Sequence, residues 1–240
     1  MTGGTASVAL DAAYARCRAL HRQHGRSYYL ATRLLPAWKR RHVHALYGFT
    51  RYTDDIVDGD GRWPERAQRL GDWQDRFYAA LDAGAPADDL LLGAVLHTIA
   101  VFGLDRGDFD AFFASMRMDL HVRLYPDYGA LLEYMEGSAA AIGTMMLPIL
   151  LAPDEPGGRW TPKEPAAAAR AAAREHYRQA AAGISLLPPR SRRCIRLASA
   201  VYGGILDAIE RRDYDVLSTR AVVPRPQRAA AVARELVRPA

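Results

Sequence analysis

Between Leu10 and Val237 the apolar residues recur at helical spacing in nearly every segment, and strand-like alternation is scarce. Leu10–His24, Trp38–Asp58, Glu65–Leu81, Asp88–Phe102, Asp108–Val122, Tyr128–Leu151, Ala166–Ala182, Ser191–Arg211 and Arg228–Val237 each read as helix. Clusters of Gly, Pro and Asp separate them at 60–64, 82–87, 103–107 and 187–189, where these residue types stop helices or start turns. The pattern predicts an all-α fold, a single-domain helical bundle over residues 1–240 with a Pro/Gly-rich linker at 153–163. A chain of 240 residues that is half hydrophobic can bury one full core.

The net charge of +5 rests almost wholly on arginine, since Lys39 and Lys163 are the only lysines. That balance favours anionic partners, whether phosphates, acidic lipid or nucleic acid. The best basic cluster, Arg190, Arg192, Arg193 and Arg196, lacks interleaved aromatics, so a solvated helix face is expected and no nucleic acid. Cys17 and Cys194 form no CxxC pair, which points to a reduced, cytoplasmic protein. The apolar runs Leu90–Leu104 and Ala139–Ala152 fall short of the ~18–20 residues of a spanning helix, so any membrane contact is expected to be peripheral. His21 and His24 have no third ligand near them in sequence and read as surface or capping residues. His42 and His44 point to different faces, and His97 and His121 read as core or boundary residues. Phe109, Phe112, Phe113 and Met116 keep helical spacing and read as core.

One stripe carries chemistry. At 3.6 residues per turn, Tyr47, Arg51, Asp54 and Asp58 fall within roughly 60° of one helical face. Two carboxylates one turn apart repel, at a cost of roughly 0.2–0.5 kcal/mol in a bare helix. A shared divalent cation reverses that cost, because hard ions such as Mg2+ take carboxylate oxygens and keep waters that a phosphate can replace. Arg51 can grip the same phosphate with a bidentate fork. A solvated acidic helix end is the plainer reading of a lone D-x-x-x-D, but this one lies in an aromatic, apolar helix.

With these residues in view, the chain resembles the squalene and phytoene synthase family, the head-to-head trans-prenyltransferases. The likeness runs through residues 27–36, 44–49 and 51–58, continues at Met116–Leu120 and Leu132–Gly143, and returns at Tyr202–Asp207 and Tyr214–Arg220. The resemblance implies an isoprenoid-synthase-like bundle that joins two prenyl diphosphates, farnesyl or geranylgeranyl. In that reaction loss of one diphosphate gives an allylic cation, the second chain attacks to form a cyclopropylcarbinyl diphosphate, and rearrangement yields phytoene, squalene or a relative. It also implies Mg2+, with Mn2+ as an alternative, held by Asp54 and Asp58, and catalytic roles for Tyr47 and Arg51 beside them. Ser27, Tyr134, Tyr202, Arg220 and Arg228 match diphosphate-contacting positions, while Ala139 and Ile142, with Met146, match the hydrocarbon tunnel. NADPH is implied only for a squalene product, and no dinucleotide fingerprint is visible.

Two departures stand out. Gly25 occupies a position where the family often has a second hydroxyl. The family also carries a second aspartate-rich helix, yet no further Asp-x-x-x-Asp and no asparagine occur in this chain. The bundle is therefore expected to be internally shortened, with Tyr128–Leu151 and Ala94–Phe102 partly uncovered and self-association possible. The alternative function is a catalytically impaired homologue that binds prenyl diphosphate or a partner chain.

Overall fold

The computed structural model describes residues 3–84, 89–122, 124–155, 184–210 and 223–237, and among these the regular structure is entirely helical. The described residues form ten α-helices: α1 (Gly3–His24), α2 (Arg26–Thr32), α3 (Ala37–Asp58), α4 (Trp63–Ala83), α5 (Leu90–Phe102), α6 (Arg106–Asp119), α7 (Tyr128–Met135), α8 (Ala141–Leu151), α9 (Pro189–Glu210) and α10 (Arg225–Val237). A π-helical stretch, Glu136–Ala140, joins α7 to α8, and a short 3-10 turn, Ile184–Leu186, precedes α9.

The predicted punctuation is what ends the helices. Pro64 occupies the first turn of α4, where its missing N–H costs nothing, and Glu65 reaches back to the Arg62 backbone. Gly84 and Gly103 close α4 and α5 at φ of 59° and 60°, left-handed conformations that a side chain would strain. Asp89 and Asp105 accept backbone N–H bonds at the starts of α5 and α6.

α3 is the central strut and packs against α1, α4, α5, α6 and α8. Its Phe49 is fully buried among Trp73 and Phe77 of α4 and Phe109, Phe112 and Phe113 of α6. These rings meet tilted or edge-on, the arrangements that aromatic quadrupoles favour. The phenylalanine stripe of α6 is therefore core, as its spacing predicts.

Three features differ from the sequence reading. α2 was not expected: seven residues bounded by Gly25 and Pro36 are too few to show a helical period. The run over Tyr128–Leu151 is helical but not uniform, because the π stretch inserts an extra residue and Pro148 lies inside α8. Ala94–Phe102 is not left bare: Ala94, Val95, Thr98, Ile99 and Phe102 are all buried, with Val101 on the outside. The predicted helix at 166–182 and most of the 153–163 linker lie outside the described residues.

The histidines are the clearest correction. His21 is completely buried rather than superficial, and its Nδ1 lies 2.9 Å from the Nδ1 of His44. His42 belongs to a second polar knot, in which the Tyr14 hydroxyl lies 3.0 Å from its Nδ1, 2.7 Å from His97 Nδ1 and 3.3 Å from Thr98 Oγ1. That knot joins α1, α3 and α5 and gives the Tyr14 hydroxyl, the two Nδ1 atoms and the Thr98 hydroxyl partners among themselves. His121 is exposed.

Lys39 is buried without exposure, and burial pulls its ammonium below the usual lysine range while Asp154 works against that shift. Its Nζ donates to Asp154 Oδ1 at 2.9 Å, Ser191 Oγ at 2.9 Å and the Leu150 carbonyl at 3.4 Å. The Trp38 indole N–H and the Arg190 backbone N–H bind the same Asp154. One lysine thus fixes the end of α8 and the start of α9 to the head of α3. Lys39→Met fills the volume but strands Asp154, so it is expected to cost about 3 kcal/mol. A thermal melt should fall by roughly 6–12 °C, and a melt matching the wild type would mean that the pair contributes nothing net.

Candidate active site

The second half of α3 carries the predicted stripe. Asp58 is exposed and Asp54 is largely enclosed. Burial is the main reason that the Asp54 carboxyl is pushed up to about 7, with the like charges of Asp58, Asp119 and Asp55 adding to the shift and Arg51 opposing it. Arg51 is already engaged, its Nη2 donating to Asp55 one turn on. That pair is partly solvent-exposed and weak, so an incoming phosphate can take the guanidinium over. The site is an anionic cluster, and the Arg51 guanidinium within it is shared with Asp55.

Asp119 is the residue that motif reading passed over. It ends α6, and its carboxyl is pushed up by burial and by Asp58, with a hydrogen bond from Tyr134 acting the other way. The Tyr134 hydroxyl donates to Asp119 Oδ2 at 3.0 Å, and its phenol is pushed up to about 12 by burial and that carboxylate. The Tyr125 ring lies 5.2 Å from the Tyr134 ring. An acid at the end of an otherwise phenylalanine-rich helix was the available signal. Reading it required knowing that the end of α6 comes beside the end of α3.

Gly137 explains how α7 approaches. A Cβ there would lie 2.1 Å from the Ala111 carbonyl oxygen, so only glycine lets the π stretch close on α6. Beyond it the wall grades inward, with Ala139 exposed, Ile142 partly covered against the core and Met146 buried. Gly129–Leu151 as a whole is long and apolar enough to cross a membrane by length and composition, which the shorter sequence estimate missed. Its buried residues Ala141, Met145 and Ile149 belong to the protein core.

Of the remaining predicted residues, Ser27 and Arg228 lie at α2. Ser27 stands in its first turn, partly exposed. Arg228 of α10 lies beside Leu30, one turn along α2 from Ser27, in an open cleft of about 450 Å³ also lined by Val232 and Leu236. Tyr202 lies in the backbone course of α9, but its side chain is outside the described set, as is all of Arg220.

The donors fit a hard divalent cation in kind. They are carboxylate oxygens, and burial together with the neighbouring acids pushes the Asp54 carboxyl up to about 7 despite Arg51. They do not form a closed cage, since no three His, Cys, Asp or Glu groups among the described residues are arranged to hold a metal. Asp54 and Asp58 could supply two carboxylate ligands at most from α3's stripe.

The sequence profile of squalene/phytoene synthases matches residues 21–172 and 165–227 in two pieces. A 15-cis-phytoene synthase from Synechocystis is 27% identical over 283 aligned positions, covering 92% of this chain and 83% of that protein. The alignment is longer than this chain, so the relative carries residues that this chain lacks. A presqualene diphosphate synthase from Rhodopseudomonas palustris is 35% identical over 134 residues, 55% of this chain and 47% of that protein. Among solved structures, a ligand-bound dehydrosqualene synthase superimposes with a TM-score of 0.75 at 18% identity, over 93% of this chain and 95% of that one. The profile spans more than half of the chain, and the chain belongs to the squalene/phytoene synthase family.

Proposed function

We propose that this chain condenses two prenyl diphosphates, geranylgeranyl or farnesyl, head to head into a phytoene- or squalene-type product. The observation that carries this reading is the carboxylate group of Asp54, Asp58 and Asp119, gathered where α3 meets α6, beside the apolar wall of α7 and α8. Mg2+, or Mn2+ in its place, would be held by Asp54 and Asp58 and would neutralise the diphosphate as it leaves. Arg51 exchanges its Asp55 partner for phosphate oxygen, and Tyr47 and Ser27 add hydroxyl contacts. Arg228, Tyr202 and Arg220 complete the diphosphate contacts in this reading. Tyr134, anchored on Asp119, stands between the charged end and the wall. Ala139 and Ile142 shield the developing cation from water with side chains that offer it no nucleophile.

A phytoene-type product is favoured because squalene needs NADPH and no dinucleotide fingerprint occurs in the sequence. Leu132 and Met135 of α7 are each 38% exposed, an apolar rim suited to self-association or to peripheral contact with a membrane that holds the product. The single Asp-x-x-x-Asp supports the second reading, a homologue that binds prenyl diphosphate without turning it over.

The deciding assay is incubation with Mg2+ and either geranylgeranyl or farnesyl diphosphate, followed by extraction and mass spectrometry. A C40 or C30 product is expected. Absence of both, with an active relative run alongside, would favour the impaired binder.

A further inference from the structure

The buried pair His21 and His44 takes no part in the reading above, and it sits behind one of that reading's residues. The Tyr47 ring lies flat on the His21 imidazole, with centroids 4.0 Å apart and planes 9° from parallel. His21 in turn is held by the 2.9 Å Nδ1–Nδ1 contact with His44, where one imidazole donates and the other accepts. Both rings are pushed down by burial, to about 3 for His21 and about 4 for His44, so each is neutral and able to play either part. His44 also stacks on Tyr29 of α2, at 5.4 Å and 22°. Space for the stack comes from Gly25, where a Cβ would lie 2.6 Å from Tyr47 Cζ and 2.7 Å from His21 Cδ2. The missing side chain at 25 and the buried imidazole at 21 are thus two halves of one arrangement.

We propose that His21, braced by His44 and admitted by Gly25, is the positioning residue for Tyr47, fixing the plane of its ring and so the place of its hydroxyl at the diphosphate site. This rests on Tyr47 being a diphosphate contact. A phenol on a helix otherwise explores two χ angles; a parallel ring on one face removes that freedom before the ligand arrives. α2 is bound to the same cluster through Tyr29, so the stack also holds the helix that carries Ser27 in place beside α3.

The test measures calorimetric affinity for geranylgeranyl thiolodiphosphate, a probe that does not turn over, in the presence of Mg2+, with a thermal melt for each variant. Tyr47→Phe removes the hydroxyl and is expected to weaken binding about fivefold or more. His21→Ala is expected to weaken it to a similar degree, and the double variant to bind no worse than Tyr47→Phe alone. His21→Phe keeps a flat ring but leaves His44 unpaired; affinity should return to within about twofold of wild type while the melting temperature stays low. A merely structural His21 would not separate those two readouts. Gly25→Ala, whose Cβ would press on both rings of the stack, should reproduce the loss even if His21→Ala fails to fold. Unchanged affinity in His21→Ala or in Gly25→Ala, or losses that multiply in the double variant, overturns the proposal and leaves Tyr47 as a contact. Unchanged affinity in Tyr47→Phe overturns the contact itself, and the proposal with it.

Discussion

Asp54→Asn is expected to abolish Mg2+-dependent binding of prenyl diphosphate while making the empty protein more stable. Both effects come from one carboxylate. As a ligand, Asp54 supplies one of the two carboxylates of the stripe, and an amide of the same shape carries no charge to hold a hard cation. As a buried group it is a liability, since its carboxyl is pushed up to about 7 by burial and by three neighbouring acids. A raised carboxyl pKa means that the folded state holds a proton the unfolded chain has already released. Stability therefore declines as pH rises from about 4 to about 7, and the ionised form is the strained one. The Asn variant escapes that decline, which is worth about 1–3 kcal/mol at pH 8. Calorimetric titration with Mg2+ and prenyl diphosphate reads the first effect and thermal melts at pH 5 and pH 8 read the second. Wild-type affinity should also climb between pH 6 and pH 8, because the proton on Asp54 must leave before an ion can bind. Unchanged affinity in the variant would remove Asp54 from the metal site, and a melt lowered at pH 8 would mean that the charge is stabilising.

That opposition between stability and binding is common where function needs charge brought together. It also shows which parts of the site could be read from sequence. Tyr47, Arg51, Asp54 and Asp58 lie on one helix, so periodicity alone aligned them. Asp119 lies on another, and only the packing of α6 against α3 brings it near. His21 is missed for the same reason. Its neighbour in sequence, His24, suggested a surface pair, whereas the partner that matters is His44, on a different helix. Arg51 shows the limit from the other side: its i,i+4 contact with Asp55 follows from the same spacing and is absent from the reading of the stripe. Helix ends were legible because Gly, Pro and Asp act locally. α2 and the π stretch were not, since one is too short to show a period and the other breaks the period it was sought by.

Gly137→Ala is expected to be among the most damaging single-methyl changes in the chain. The added Cβ would lie 2.1 Å from the carbonyl oxygen of Ala111 and 2.8 Å from its carbon, with Ser115 Oγ also at 2.8 Å. Two of those atoms are backbone of α6, which cannot turn away as a side chain can. The helices must part by an ångström or more, in a region where α6 carries three fully buried phenylalanines. Overpacking against an unyielding neighbour costs about 3 kcal/mol or more, a fall of roughly 6–12 °C in the melt for a chain of this size. The damage should extend to binding, because Tyr134 stands one turn before Gly137 and its bond to Asp119 spans the interface that is pushed apart. Gly143 provides the control. It is exposed on the same helical run and a Cβ there meets nothing within 4 Å, so Gly143→Ala should raise stability by up to about 1 kcal/mol. Opposite signs from one methyl at two glycines of one helix would establish that close approach to α6, rather than flexibility of the π stretch, is what glycine serves at 137. Equal and small effects would mean that the helices yield there, and that the Tyr134–Asp119 contact is held by something other than their packing.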